Sequence, residues 1–170
     1  MTSPTTESTA LTIRPAQEGD LDAILAIYQH ARVFMAQNGN PTQWAGVYPS
    51  EKDARGDIEQ GVGYVFEQDG QVVGTFALII GDEPTYQQIN GAWGWDEEYG
   101  TIHRIASSGA ARGLSRACFD FCAGKVDYLR IDTHADNAPM RGAILKYGFV
   151  PRGTIIYEDG TPRDAFDWHR

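Results

Sequence analysis

Apolar and polar positions alternate with period two over residues 11–16, LTIRPA, and the run stops at Pro15, so the pattern predicts a first strand. From Leu21 the period lengthens: Leu21, Ile24, Leu25, Tyr28, Ala31 and Met35 share one helical face behind Asp20, a fitting N-cap. A helix to about Gln37 follows from that spacing. Residues 38–49, NGNPTQWAGVYP, break the periodicity with turn formers and carry Trp44 and Tyr48. Ser50 with Asp53 is a variant capping box that opens a second helix, closed by Gly61. GYVFEQ, the turn pair Asp69 and Gly70, and QVVGTFALII then form a hairpin. A polar connector holding Trp93 and Trp95 leads to a strand over 99–107.

Next comes SSGAARGLSRAC, residues 107–118, poor in side chains large enough to do chemistry. It passes into a helix to about Ala123, with Leu114, Ala117, Cys118 and Phe121 on one face. A strand over 128–134, a short helix over 135–148 and two last strands, 149–157 and 163–168, complete the chain. The order is a strand, two helices, three strands, βαβα and a closing strand pair, which describes a mixed α/β sheet. Its βαβ unit is parallel and right-handed, which sets the small-residue loop at the carboxyl end of its strand. Ligands collect there in open α/β sheets.

Composition narrows the function. At 170 residues with 42% hydrophobic and 22% charged residues, the chain has the make-up of one ordinary globular domain. No run of about 18 apolar residues exists to span a bilayer, so no membrane partner is expected. Residues 1–10, MTSPTTESTA, lack the basic and apolar parts of a signal peptide and are expected to form a disordered tail. Two cysteines, Cys118 and Cys122, suit a reducing, cytoplasmic setting; four apart on one helix, they are expected to pack in the core, with no metal. A net charge of −9 argues against a nucleic-acid partner and favours encounter with cationic small molecules.

The loop of small residues lets successive amides approach an anion, and the helix behind it adds the positive end of its dipole. Loops of this kind also occur for purely structural reasons. No Walker loop is present, because Gly113 is followed by Leu114 and Ser115, and no G-x-G-x-x-G dinucleotide fingerprint occurs. Downstream, RIDTHADNAPMRGAILKYGF sets Asn137 after a strand, then a short helix, Lys146, Gly148 and Phe149. From residues 99 to 149 above all, the chain resembles the GNAT superfamily of acetyl-coenzyme A dependent N-acetyltransferases.

That resemblance implies a central mixed sheet with helices on both faces and a splayed strand pair, spanning residues 11–170. It implies acetyl-CoA as acyl donor, a small-molecule amine or peptide as acceptor, and is compatible with a homodimer. By position, Ile105, Ala106 and Ser107 match the strand that pairs with pantetheine, and Gly109, Ala110, Ala111, Arg112, Gly113, Leu114 and Ser115 the pyrophosphate loop. Asn137 and Lys146 match positions facing the cofactor. Ala110 stands where Arg or Gln is usual, Ser115 replaces the closing Gly or Ala, and the loop is short; Arg112 still offers charge. Ile144 stands where the family's thiolate-protonating Tyr is found, so no acid carries over, and Tyr147 points elsewhere by helical period.

Acetyl transfer to an amine needs a neutral amine, oxyanion stabilisation and departure of a thiolate. An amide near Ile105 or Ala106 suits the oxyanion. His103 and His134 are the candidate bases, with Asp132, two residues earlier on the same strand face, orienting His134; packed strand histidines are the plainer reading. Glu97 and Glu98 are alternative bases acting through water. Trp44, Tyr48 and Trp95, with Trp93, are candidate walls for the acceptor or simply core. A catalytically inactive acyl-CoA binding module and a nucleotide-binding protein are the rival readings.

Overall fold

The first strand, β1 (Thr12–Pro15), is followed by a single 3-10 turn and by α1 (Leu21–Gln37). The computed structural model describes residues 10–170; Ala10 apart, the expected tail lies outside the described residues. Asp20 occupies the N-cap position of α1, but its side chain does not cap that helix. Its carboxylate accepts from the Gln17 amide at 2.8 Å and from Arg14 at 2.8 and 2.9 Å, closing the preceding turn instead. The 3-10 turn runs straight into α1 with Asp20 itself helical (φ −89°, ψ −7°), so its side chain is spent on the turn before it.

The Ser50 box opens α2 (Glu51–Glu59), with the Ser50 amide donating to Asp53 at 2.7 Å. The hairpin of β2 (Gly63–Gln68) and β3 (Gln71–Ile80) turns at Asp69 and Gly70, with φ of 53° and 74°. Both values are positive, as a turn matched to the strand twist requires. One strand went unpredicted: β4 (Asn90–Gly91), two residues too short for any alternation to register. Then follow β5 (Gly100–Ser107), α3 (Leu114–Ala123), β6 (Tyr128–Thr133), α4 (Ala138–Tyr147), β7 (Val150–Ile156) and β8 (Pro162–His169).

One eight-stranded sheet results, in the order β1-β2-β3-β5-β6-β8-β7-β4. Among the described strands only β5 and β6 run parallel. Adjacent residues Val65 and Phe66 point to opposite faces of the sheet and belong to different cores. Phe66 joins Leu114, Cys118, Cys122 and Ile144 of α3 and α4; Val65 joins Ile24, Ile27, Tyr28 and Ala54 of α1 and α2. Helices therefore cover both faces. Cys118 and Cys122 are free and fully buried, and burial pushes the Cys118 thiol well up. Among the described residues no helix is long and apolar enough to cross a membrane, and no cluster of three metal-ligating side chains occurs.

Candidate active site

The parallel pair at the centre of the sheet is joined only where it begins. Gly100 pairs with Leu129 and Thr101 with Arg130, and beyond these two rungs the strands separate. A bulge lies on the diverging part of β5: Thr75 pairs with Ala106 and Ala77 with His103, so Arg104 and Ile105 together face Phe76. Arg104 has φ of 52°, a conformation costly for a residue with a Cβ. Its guanidinium explains how the conformation is held: it donates to both oxygens of Asp57, at 2.8 and 2.5 Å, and to the Tyr48 hydroxyl at 3.3 Å. Arg104 and Asp57 are largely buried together, and the pair holds the guanidinium above its ordinary range although burial opposes it.

A cleft of about 250 Å³ runs between α1, the end of β5 and the starts of α3 and α4. Ile105, Ala106, Ser107, Gly109, Leu114, Ser115 and Asn137 line it, together with His30, Phe34, Met35 and Met140. Gly113 sits in the left-handed region, φ 77°, as the N-cap of α3, and no side chain caps that helix. The amides of Gly109 and Ala110 are taken by the hydroxyls of Ser107 and Ser108, at 3.0 and 3.2 Å. Those of residues 111–116 have no protein acceptor among the described residues. A row of unengaged donors at a helix start, beside a mostly apolar cleft, suits a diphosphate joined to a slender arm. Ala110, Ala111, Arg112 and Gly113 stand on this loop outside the cleft lining.

A buried polar layer stands between the parting strands. His103 of β5 donates from Nε2 to Glu83 at 3.2 Å. Burial raises the Glu83 carboxyl, but the His103 contact and two Thr85 donors outweigh it and hold the group below its ordinary value. Asp132 of β6 accepts from the Tyr86 hydroxyl at 2.6 Å and lies 4.0 Å from Arg163. Burial pushes Asp132 up in spite of Tyr86, His103 and Arg163. Tyr157 bonds the Tyr48 hydroxyl at 3.0 Å and lies under the Arg163 guanidinium at 4.6 Å.

The expected alliance of Asp132 with His134 does not form. Strand β6 ends at Thr133, so His134 leaves the alternation that would have put both on one face. His134 accepts at Nδ1 from the Asp136 amide, 3.1 Å away, and meets the Thr42 hydroxyl through Nε2 at 3.3 Å. Both of its nitrogens are thus engaged, whereas His103 keeps Nδ1 free among the described residues.

The aromatic candidates also divide. Trp44 and Tyr48 meet edge to face at 6.5 Å beside the polar layer, with Trp44 buried against Tyr28 in the second core. Trp95 is not with them: together with Glu97, Glu98, Trp93 and Arg130 it lines a separate depression where β5 begins. Arg130 draws it there, donating to the Trp95 carbonyl at 3.0 Å while stacking 4.3 Å from the Trp93 ring. Glu97 pairs with His169. Lys146 is likewise remote from the cleft, in a shallow depression with Arg116 and Tyr147. Burial and the Asp120 carboxylate push the Tyr147 phenol up to about 12, and Ile144 is sealed in the core.

Sequence reasoning missed Gln43, whose Oε1 accepts from Asn40 at 2.9 Å, Asn137 at 3.0 Å, and Thr133 and the His134 amide at 3.4 Å. It also missed Glu83, Tyr86, Arg104 and His30. Their signals were a glutamine in a turn-rich loop, a Glu-Pro-Thr-Tyr turn, a strand arginine and a helical histidine, none distinctive alone.

Residues 10–150 match the sequence profile of the acetyltransferase (GNAT) domain. Among solved structures, a GNAT-family acetyltransferase from Streptococcus agalactiae 2603 is 30% identical, with TM-score 0.87 over 96% of this chain and 97% of that one. A ribosomal-protein-alanine N-acetyltransferase from Brucella melitensis (21% identity, TM-score 0.63, 94% and 99% covered) shares the fold. So does an aminoglycoside acetyltransferase solved with coenzyme A and kanamycin (18%, 0.62, 95% of each chain). No curated protein matches the chain in sequence.

Proposed function

Because this chain belongs to the GNAT acetyltransferase family, we propose that it moves an acetyl group from acetyl-CoA to a primary amine of a small molecule or peptide, by direct attack in a ternary complex. The observation that carries the reading is the strand pair β5 and β6, rung together at Gly100 and Thr101 and parting toward the cleft and the uncapped start of α3. One neighbour is named a ribosomal-protein-alanine N-acetyltransferase and another an aminoglycoside acetyltransferase, and the first of these names favours an amine acceptor.

Acetyl-CoA, when bound, supplies an acetyl group activated as a thioester. The chain's residues divide the remaining work. Amides of residues 111–116 hold the diphosphate, and the dipole of α3 adds to them. Asn137, itself fixed by Gln43 and capping α4 through Met140 at 3.3 Å, closes the far wall. Ile105, on the bulge opposite Phe76, presents its amide to the developing negative charge on the carbonyl oxygen. His103 takes the amine proton at Nδ1, because Nε2–H is committed to Glu83 and fixes the tautomer. Trp44 and Tyr48 stand beside the polar layer as walls of the acceptor side, toward which a small amine or peptide terminus would approach.

Purified protein incubated with acetyl-CoA and a panel of amines is expected to release free thiol, with His103→Ala lowering turnover about 100-fold or more while leaving acetyl-CoA affinity within a few-fold. Binding without thiol release across a broad panel would make the chain an acyl-CoA binding module instead. An unchanged rate in His103→Ala would remove this base.

A further inference from the structure

His30 of α1 is the one titratable side chain among the residues lining the cofactor cleft. Its imidazole lies against the phosphate-facing loop: a Cβ placed on Gly109 would sit 3.1 Å from its Cε1 and 3.3 Å from its Nε2. On the other side of the ring, Nδ1 is 3.2 Å from the Ser107 carbonyl. A carbonyl only accepts, so Nδ1 carries the hydrogen, and neutral His30 then turns a lone pair at Nε2 toward the loop. A lone pair repels an anion. Protonation at Nε2 converts that edge into a charged donor beside Gly109.

From this arrangement, and resting on the reading of the cleft as a coenzyme A site, we infer that His30 is a diphosphate-binding residue whose protonation is coupled to cofactor binding. The surroundings set no fixed charge against the ring. From β5, the loop, α3 and α4, the lining residues facing it include no Asp, Glu, Lys or Arg. Arg112 stands exposed on the loop outside that lining, and Arg32 of α1 is turned to the carbonyls of Val47, Tyr48 and Pro49. Among the described residues His30 makes no ion pair. A protonated imidazole would give the cleft a cation that its lining otherwise lacks.

The test is calorimetric titration with 3′-dephospho-coenzyme A, which keeps the diphosphate and lacks the phosphate monoester that would itself titrate near pH 6. The chain is expected to bind it about tenfold more tightly at about pH 5.5 than at about pH 8, the worth of one charge-assisted hydrogen bond at a partly open site. His30→Gln is expected to bind at both pH values as the parent does at the higher one. His30→Arg is expected to bind tightly at both. A flat profile in the parent chain, or the same slope in His30→Gln, overturns the assignment while leaving the cofactor reading intact. No binding at either pH overturns the cofactor reading and takes this inference with it.

Discussion

Asp132 and Glu83, both close to His103, are pushed in opposite directions by their surroundings. Asp132 is held above its ordinary value mainly by burial. The folded state therefore binds more protons than the unfolded one between the two values, and stability falls as pH rises through that interval. Asp132→Asn keeps an acceptor for Tyr86 and removes the buried charge. It is expected to raise the melting temperature by about 2–4 °C at neutral pH, the gain closing below about pH 4. A variant that melts lower at pH 7 would show that the Arg163 contact outweighs the burial. Glu83 has the opposite sign: its carboxylate stabilises the fold above its unfolded value, and that contribution is lost as pH falls through the lower, folded one. At this scale the sequence was half legible. The place of His103 on the strand that parts from β6 was readable from the pattern around it. Glu83 was not, because it arrives from a turn twenty residues away and nothing local ties that turn to β5.

Among the elements, α3 shapes the cleft most, since its first turn both carries unengaged amides and anchors the core. Leu114 is pressed so closely onto β3 that a Cβ at Gly74 would lie 2.3 Å from its Cδ2 and 2.8 Å from the Phe66 ring. Gly74→Val is therefore expected to destabilise the chain by about 1–3 kcal/mol in urea unfolding, through overpacking. It should also weaken coenzyme A binding, because α3 and its free amides must shift; full affinity in a destabilised variant would show that the loop does not follow the helix. Periodicity, caps and turn residues together foretold each α-helix and all the described strands but β4. They did not locate where β5 leaves β6, because the bulge is set at Arg104, a residue with no turn preference. Only Asp57 and Tyr48, distant in sequence, make its backbone tenable.

For the molecule as a whole, the charge of −9 works against an anionic ligand at long range, while the cleft lining offers no fixed cation to counter it. The repulsion reaches about 30 Å at 0.01 M salt and about 8 Å at 0.15 M. The association rate of coenzyme A, followed by stopped-flow, is accordingly expected to rise about 2–5-fold between those ionic strengths. A falling rate would place attractive cations such as Arg112 and Arg116 at the mouth in control. Composition made this charge plain from the start. It gave no hint that β8 would enter between β6 and β7, since strand order depends on pairings that no local pattern encodes.

Two rungs are all the ladder that links β1-β2-β3-β5 to β6-β8-β7-β4, so the molecule is a wedge stitched at one corner. What fixes its angle lies behind it, in the oily layer where Phe76 and Ile102 of one half meet Ile131 and Phe166 of the other through α3 and α4. The width offered to a slender guest is set by the bulk of residues such as Cys118 and Ile144, which the guest never touches.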